Sequence, residues 1–405
     1  LYNKPVDIVD FEIQNCLEVG SYIERNKIQC EYRPVPACRT FWTERSWSRA
    51  SKALNHLAKE SPELSKRVTA ISEKDDLAKS NVQPSCLGAT LTQGAAGLWP
   101  YKYISWILTN LIKKGVLNLQ TKTPVLRVEP ISVLSSDSFS HQSSKPRYKI
   151  ITSRGTIEAY NILLATNAYT SHLISSFADL IVPVRETMTA LKPPSSQLER
   201  LPHTYGFIGL SRNENTGSSE YLIQRPFAAE YTQGHLMLGG GRISAATLPS
   251  VGQSDDSIID KSVVRYLCEA LPRSLLLGEK VPSSLTPVAA WTGIWAASRD
   301  GNPWVGAVPD YPPGLWLCAA YTGHGMPNAT LCARAVVEMI GEENKGKGHV
   351  ALSLNMVKNG KLPLGYIITK ERIETAKGLP DVETQDSLGI LGFKRVSAAE
   401  DLGYL

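Results

Sequence analysis

Residues Tyr321-Thr-Gly-His-Gly-Met-Pro327 join two stretches of opposite character. Before them, Leu315-Trp-Leu-Cys-Ala-Ala320 is a short continuous apolar run, the mark of a strand buried on both faces. After them the pattern predicts a helix to about Ile340, with Pro327 at its start and Gly341 as its stop. A buried strand feeding through glycines into a helix start leaves backbone N–H groups and a positive dipole end aimed at one point. Gly323 and Gly325 let a flat ligand lie close against that backbone. The competing reading is an ordinary strand–helix turn that needs its glycines only for packing. A second set of candidates is cationic or aromatic: Arg185, Tyr221, Arg225, Arg242 and Trp295. An arginine can clamp a carboxylate through paired hydrogen bonds, and an aromatic ring can pack against an ammonium group or its carbon chain. Solvated or structural ion pairs and core filling are the competing roles for these residues.

The elements that must position these groups can be traced along the chain. An amphipathic helix is expected over residues 9–26, capped by Asp10, with Ile13, Cys16, Leu17, Gly20 and Ile23 on one face. Arg39-Thr-Phe-Trp-Thr43 reads as a strand or turn, followed by Lys/Glu-rich helical pattern to about residue 80. Leu87–Thr92 is strand-like, and a helix over Tyr101–Lys114 carries Ile104, Ile107, Leu108, Leu111 and Ile112 as its expected buried stripe. Val116–Gln120 and Thr123–Val128 are strand candidates, and 132–146 is a Ser-rich surface insertion. Tyr148–Thr152 and Thr156–Tyr160 form a hairpin around Ser153-Arg-Gly155. Ile162–Thr166 reads as a buried parallel strand whose end faces a ligand. Longer alternating strands follow at Val182–Lys192, Glu220–Gln224 and His235–Leu238, the wall of a broad sheet, with a helix at 255–271. The charged stretch after residue 341 is expected to wrap the surface and be partly disordered.

Trp291-Thr-Gly-Ile, Asp300-Gly-Asn-Pro-Trp-Val-Gly306 and Gly323-His-Gly-Met-Pro327 together resemble the C-terminal signature of FAD-dependent oxidoreductases of the D-amino-acid oxidase type, a group that includes glycine- and sarcosine-oxidase-like enzymes. The resemblance continues in order through Trp99-Pro-Tyr-Lys-Tyr103, Thr123-Pro-Val125, Ala165-Thr-Asn-Ala-Tyr-Thr170, Val182-Pro-Val-Arg185, Tyr221-Leu-Ile-Gln-Arg225 and Gly239-Gly-Gly-Arg242. It covers roughly residues 10–341. It implies non-covalent FAD, with the backbone of Gly323, His324, Gly325 and Met326 at the pyrimidine edge of the flavin. It further implies Val125 near the adenine and Ala165, Thr166 and Asn167 near the dinucleotide. The implied activity is oxidation of a small amine or amino acid, with hydride leaving for flavin N5 and an imine forming. No protein nucleophile is required, so Ser, His and Asp are not read as a triad, and the relevant group of His324 is its backbone N–H.

The implied fold is α/β (α+β). An FAD-binding Rossmann-like domain (1–30, 97–175 and 287–341) stands beside a substrate domain with a large mixed or antiparallel sheet (31–96 and 176–286), followed by a tail at 342–405. The family's G-x-G-x-x-G element, which takes the pyrophosphate, is not found. Gly94-Ala-Ala-Gly97 has the wrong spacing, and Gly239-Gly-Gly241-Arg-Ile-Ser244 has no good helix behind it. With Leu1 in place of methionine, the expectation is a chain lacking the first βαβ unit, an exposed sheet edge and weakened cofactor affinity. The alternative is a flavin-less, non-enzymatic remnant or a small-molecule or partner-binding protein. Met237 stands where sarcosine-oxidase relatives carry an oxygen-activating lysine, which leaves oxidase and dehydrogenase both open. Cys318 lies in the buried strand, and the relatives' covalent flavin cysteine has no clear counterpart.

Composition narrows the classes. The 405 residues are 42% hydrophobic and 20% charged, ordinary for a globular chain of two domains. A net charge of +5 without a dense basic block argues against nucleic acid as a partner. No stretch approaches a membrane span, and no signal peptide is seen, so no membrane partner is expected. The seven scattered cysteines lack metal spacing and read as reduced thiols of a cytoplasmic protein. Asn328-Ala-Thr330 matches a glycosylation sequon but falls in the expected flavin helix.

Overall fold

A computed structural model describes residues 5–131, 146–194, 200–211, 219–227, 234–245, 250–343 and 348–383. The Ser-rich insertion therefore lies almost wholly outside the described residues. Helix α1 (Pro5–Arg25) forms where expected, but its inner face is rotated. Ile8, Phe11, Asn15, Val19 and Ile23 are buried at three- and four-residue spacing, while Leu17 points to solvent. The sequence offers two overlapping apolar stripes, and packing of Ile8 and Phe11 with the C-terminal helices selects one of them.

An eight-stranded sheet forms the larger layer. Its strands in chain order are β1 (Ala37–Phe41), β2 (Val68–Ile71) and β3 (Gly88–Thr92), then β8 (Ile181–Leu191), β9 (Thr204–Ile208), β10 (Ser219–Gln224), β11 (Leu236–Gly240) and β12 (Pro287–Ser298). In space they run β12-β8-β11-β10-β9-β1-β3-β2, antiparallel except where β9 lies parallel to β1. One face is dry: Cys38, Tyr205, Phe207, Leu222 and Leu238 pack beneath a helix at Lys261–Ser274. That helix starts later than the expected 255, because Asp260 caps it by accepting from the Ser262 N–H. Ile258 and Ile259, expected in the helical pattern, are exposed ahead of it. Strand β12, expected on the dinucleotide side, instead pairs along its length with β8.

The other layer holds two three-stranded sheets, with β4 (Val125–Pro130), β5 (Tyr148–Thr152) and β6 (Gly155–Ala159) in one. The second runs β13-β14-β7, from Trp304–Ala307, Leu315–Ala319 and Ile162–Leu164. Strands β7 and β14 are parallel, and β7 has no further neighbour among the described residues. Val116–Gln120 is not a strand: it finds no ladder partner, and Val116 is 71% exposed. The helix Pro100–Lys113 forms, but of its expected stripe Ile104, Leu111 and Ile112 are exposed, and Tyr103 is its buried residue.

The stretch after 341 is more ordered than expected. Gly341 does not stop its helix, which runs Ala329–Glu343. Helices His349–Lys358 and Lys370–Lys377 follow, and Leu352, Met356, Tyr366 and Ile367 enter the core around Trp316. Among the described residues no helix is long and apolar enough to cross a membrane, and no His/Cys/Asp/Glu group has metal-binding geometry. All seven cysteines are free.

Candidate functional site

Because β7 and β14 are adjacent and parallel, the turns that leave them emerge at the same end of the sheet. Asn167, Ala320 and Thr322 all adopt positive φ there, at 45°, 63° and 48°, which side-chain-bearing residues rarely do. The Asn167 side chain accepts a hydrogen bond from the Ala320 N–H at 3.0 Å, so one turn holds the other. The Thr322 N–H donates to the Ala296 carbonyl, and its hydroxyl oxygen accepts from the Ser298 N–H at 3.0 Å, tying the turn to the large sheet. Gly323 has φ +79°, and a Cβ there would meet nothing within 4 Å, so its backbone borders open space. The N–H groups of Gly323, Gly325 and Met326 meet no acceptor among the described residues. His324 N–H instead donates to the Tyr321 carbonyl. The helix itself is less available than expected, since Asn15 of α1 accepts from the Leu331 N–H at 2.9 Å and donates to the Met326 carbonyl at 3.0 Å. Asn328 is fully buried and donates to Glu12 at 3.0 Å and to the His324 carbonyl at 2.8 Å, so the sequon amide is inaccessible.

The second wall is the open face of the large sheet. Opposed residues in a sheet share a face, so register defines one continuous row: Trp291, Met188, Gly239, Tyr221, Gly206, Arg39 and Thr90. Gly239 leaves room for the Tyr221 ring to lean toward Met188, whose sulfur accepts from the phenol at 2.9 Å. Tyr221 is 51% exposed, yet burial of its hydroxyl and the nearby Glu186 carboxylate both raise its pKa, so the phenol stays protonated.

The predicted site residues separate on this frame. Ala165, Thr166 and Asn167 meet the Gly323–Met326 turn at the strand ends, whereas Val125 opens β4 in the neighbouring sheet. Tyr221 and Trp295 face the open side, and the Trp295 indole donates to Glu186 at 2.9 Å. Arg185 does not join them. It is 5% exposed, its strand alternation sends it to the opposite face, and it donates to the Asp255 carbonyl. Arg225 is also committed elsewhere, forked onto Glu31 at 2.6 and 3.2 Å and stacked 4.0 Å over Trp99. Arg242 follows Gly241 in a short turn, where its charge opposes the burial-driven rise of the Glu220 pKa. Arg39, Glu12, Asn15 and Met188 escaped the sequence reading. Arg39 left a trace, an arginine alternating with the apolar Cys38 and Phe41. Cys318 is buried against Tyr321, and burial pushes its thiol up to about 11, with the Tyr321 hydrogen bond opposing.

Glycine-rich turns at the carboxyl ends of parallel strands, facing a broad sheet with an open aromatic row, define a two-layer α/β oxidoreductase architecture. The chain belongs to the FAD dependent oxidoreductase family whose model matches residues 7–339. It is 26% identical over 195 residues to a glycine oxidase of Pseudomonas aeruginosa, a match spanning 47% of this chain and 44% of that protein. In fold it is similar to glycine oxidase from Geobacillus kaustophilus, with a TM-score of 0.61 at 16% identity, covering 85% of this chain and 80% of that one. It is also similar to glycine oxidase from Bacillus cereus, with a TM-score of 0.59 at 12% identity, covering 83% and 82%.

Proposed function

We propose that the chain binds FAD non-covalently and uses it to oxidise a small amine or amino acid to the imine. The observation that carries this reading is the joined pair of turns, Ala165–Asn167 and Ala320–Met326. Strained backbone persists where the surrounding structure over-determines it, and such residues cluster at ligand clamps. The unpaired N–H groups of Gly323, Gly325 and Met326 supply donors suited to the electron-rich pyrimidine edge of a flavin. Val125 is assigned to the adenine side, and Ala165, Thr166 and Asn167 to the dinucleotide.

When bound, the flavin supplies the hydride acceptor, and oxygen or another acceptor reoxidises it. The chain's own residues bind and orient. Tyr221, Trp295 and Met188 line the face across which a substrate's carbon chain would lie, and Glu186 fixes the Trp295 ring. The Tyr221 phenol, kept protonated, remains a donor, and its bond to a thioether is weak enough to be exchanged for a substrate oxygen. The raised Cys318 pKa leaves no thiolate for a covalent flavin link.

The test is a visible absorbance spectrum of the purified chain supplied with FAD and then desalted. The expected result is a retained flavin spectrum whose flavin is released entirely by acid precipitation. A spectrum empty of flavin would overturn this reading in favour of a flavin-less binding protein. Flavin that stays with the precipitate would overturn its non-covalent part.

A further inference from the structure

Most cations that sequence alone offered for holding a substrate anion are engaged with protein groups, but Arg39 is not. It lies in β1, two strands from Tyr221, with Gly206 between them in register. A Cβ on Gly206 would stand 3.7 Å from Arg39 Cγ and 3.9 Å from its Nε, so the side chain extends over that glycine. Among the described residues the guanidinium forms no hydrogen bond or ion pair. Solvent reaches it, yet surrounding protein desolvates it and lowers its pKa, with Glu12 opposing through its charge. Exposure together with desolvation describes a group on the wall of a concave site.

Glu12 also locates that site. Its carboxylate accepts from Asn328 at 3.0 Å and lies 3.6 Å from His324 Nδ1, beside the Gly323–Met326 turn. Arg39 therefore looks across the open row toward the turn assigned to the flavin. A partly desolvated arginine without a partner is costly unless an anion completes it. A planar fork matches a carboxylate best.

We propose that Arg39 is the residue that binds the carboxylate of an amino-acid substrate, lying over Gly206 beside Tyr221. This rests on the flavin reading and narrows its substrate class, from amines in general to amines that carry a carboxylate. Two other arginines are excluded from this role by their positions, since Arg185 faces away and Arg225 is saturated by Glu31 and Trp99.

The test is calorimetric titration of propionate and of propionamide into the wild-type chain, Arg39→Ala and Arg39→Lys, each with FAD and again without it. The wild type should prefer propionate. Arg39→Ala should lose that affinity by on the order of a hundredfold. Arg39→Lys should fall between them, because it keeps the charge and loses the fork. Retained FAD affinity and unchanged unfolding midpoints in the variants complete the expected result. Unchanged propionate binding in Arg39→Ala, or a wild type that does not distinguish acid from amide, would overturn the assignment. So would an Arg39→Ala variant that loses FAD, since that would move Arg39 to the cofactor. Should Arg39→Ala fail to fold, Arg39→Lys alone decides, by weakened or unchanged propionate binding. Propionate held through Arg39 in a chain that binds no flavin would keep this inference and defeat the flavin reading.

Discussion

Glu220 sits 1% exposed in β10, under the helix at Lys261–Ser274, with one carboxyl oxygen accepting from the Tyr266 hydroxyl at 3.0 Å and the other unpaired. Burial raises its pKa from 4.5 to about 7; the Tyr266 hydrogen bond opposes, Glu186 adds to the rise, and Arg242 opposes it. The folded chain thus holds this proton more tightly than the unfolded chain. Its contribution to stability is complete below the unfolded pKa of 4.5 and is lost as pH rises through about 7. The shift corresponds to roughly 3 kcal/mol. Glu220→Gln should flatten the wild-type decline in stability across that window, as read from urea unfolding at a series of pH values. A parallel decline in the variant would assign the effect to another group. At this scale the sequence was legible where chemistry is local. The glycines of the 321–327 turn announce a close backbone approach, because few other residues tolerate it. The fates of Arg185, Arg225 and Arg39 were not legible, since each depends on which strand lies alongside.

Arg372 shows how a late helix fixes an early motif. From the helix Lys370–Lys377 its guanidinium forks onto Asp300 at 2.8 and 3.1 Å, donates to the Asn302 and Pro303 carbonyls at 3.0 Å each, and stacks 3.7 Å over Trp304. The Asp300-Gly-Asn-Pro turn is therefore held by a segment that composition had suggested would be loose. Arg372→Ala should destabilise the chain by about 3 kcal/mol, by stranding a largely buried carboxylate. Arg372→Lys should cost less, and thermal or urea unfolding of the pair reads the difference. Equal stability in all three forms would show that the turn stands without this helix. Elements with strong local signals were read correctly, such as the alternation of Glu220–Gln224 and the apolar Leu315–Ala320. The buried face of α1 was not, because two apolar stripes overlap in it and only the partner helices choose between them. Val116–Gln120 has strand composition but no neighbouring edge to pair with, so it is not a strand.

Over the whole molecule, the two layers meet through a small number of bonds: Thr322 to Ala296 and Ser298, Asn328 to Glu12, and Tyr169 to the Ser254 carbonyl. A cofactor lying between them would cross-link the halves and stabilise the fold by mass action. At a free concentration about a hundred times its dissociation constant, FAD should add about 2.7 kcal/mol. The check is a thermal scan with FAD beside one with riboflavin, which has the ring but no dinucleotide. A larger shift with FAD is the expected outcome, and equal shifts would remove the roles given to Val125 and to Ala165–Asn167. Family membership, the strand–turn–helix that ends the matched region and the existence of a broad sheet could all be read from residues alone. Turn chemistry and burial periodicity are carried by neighbours in the chain, which is why those features needed no fold. Which arginine meets the open face, and which strand closes the sheet, only the folded chain decides. Both depend on strand order and register, and these bring together Arg39, Gly206, Tyr221 and Trp291 from segments as much as two hundred and fifty residues apart.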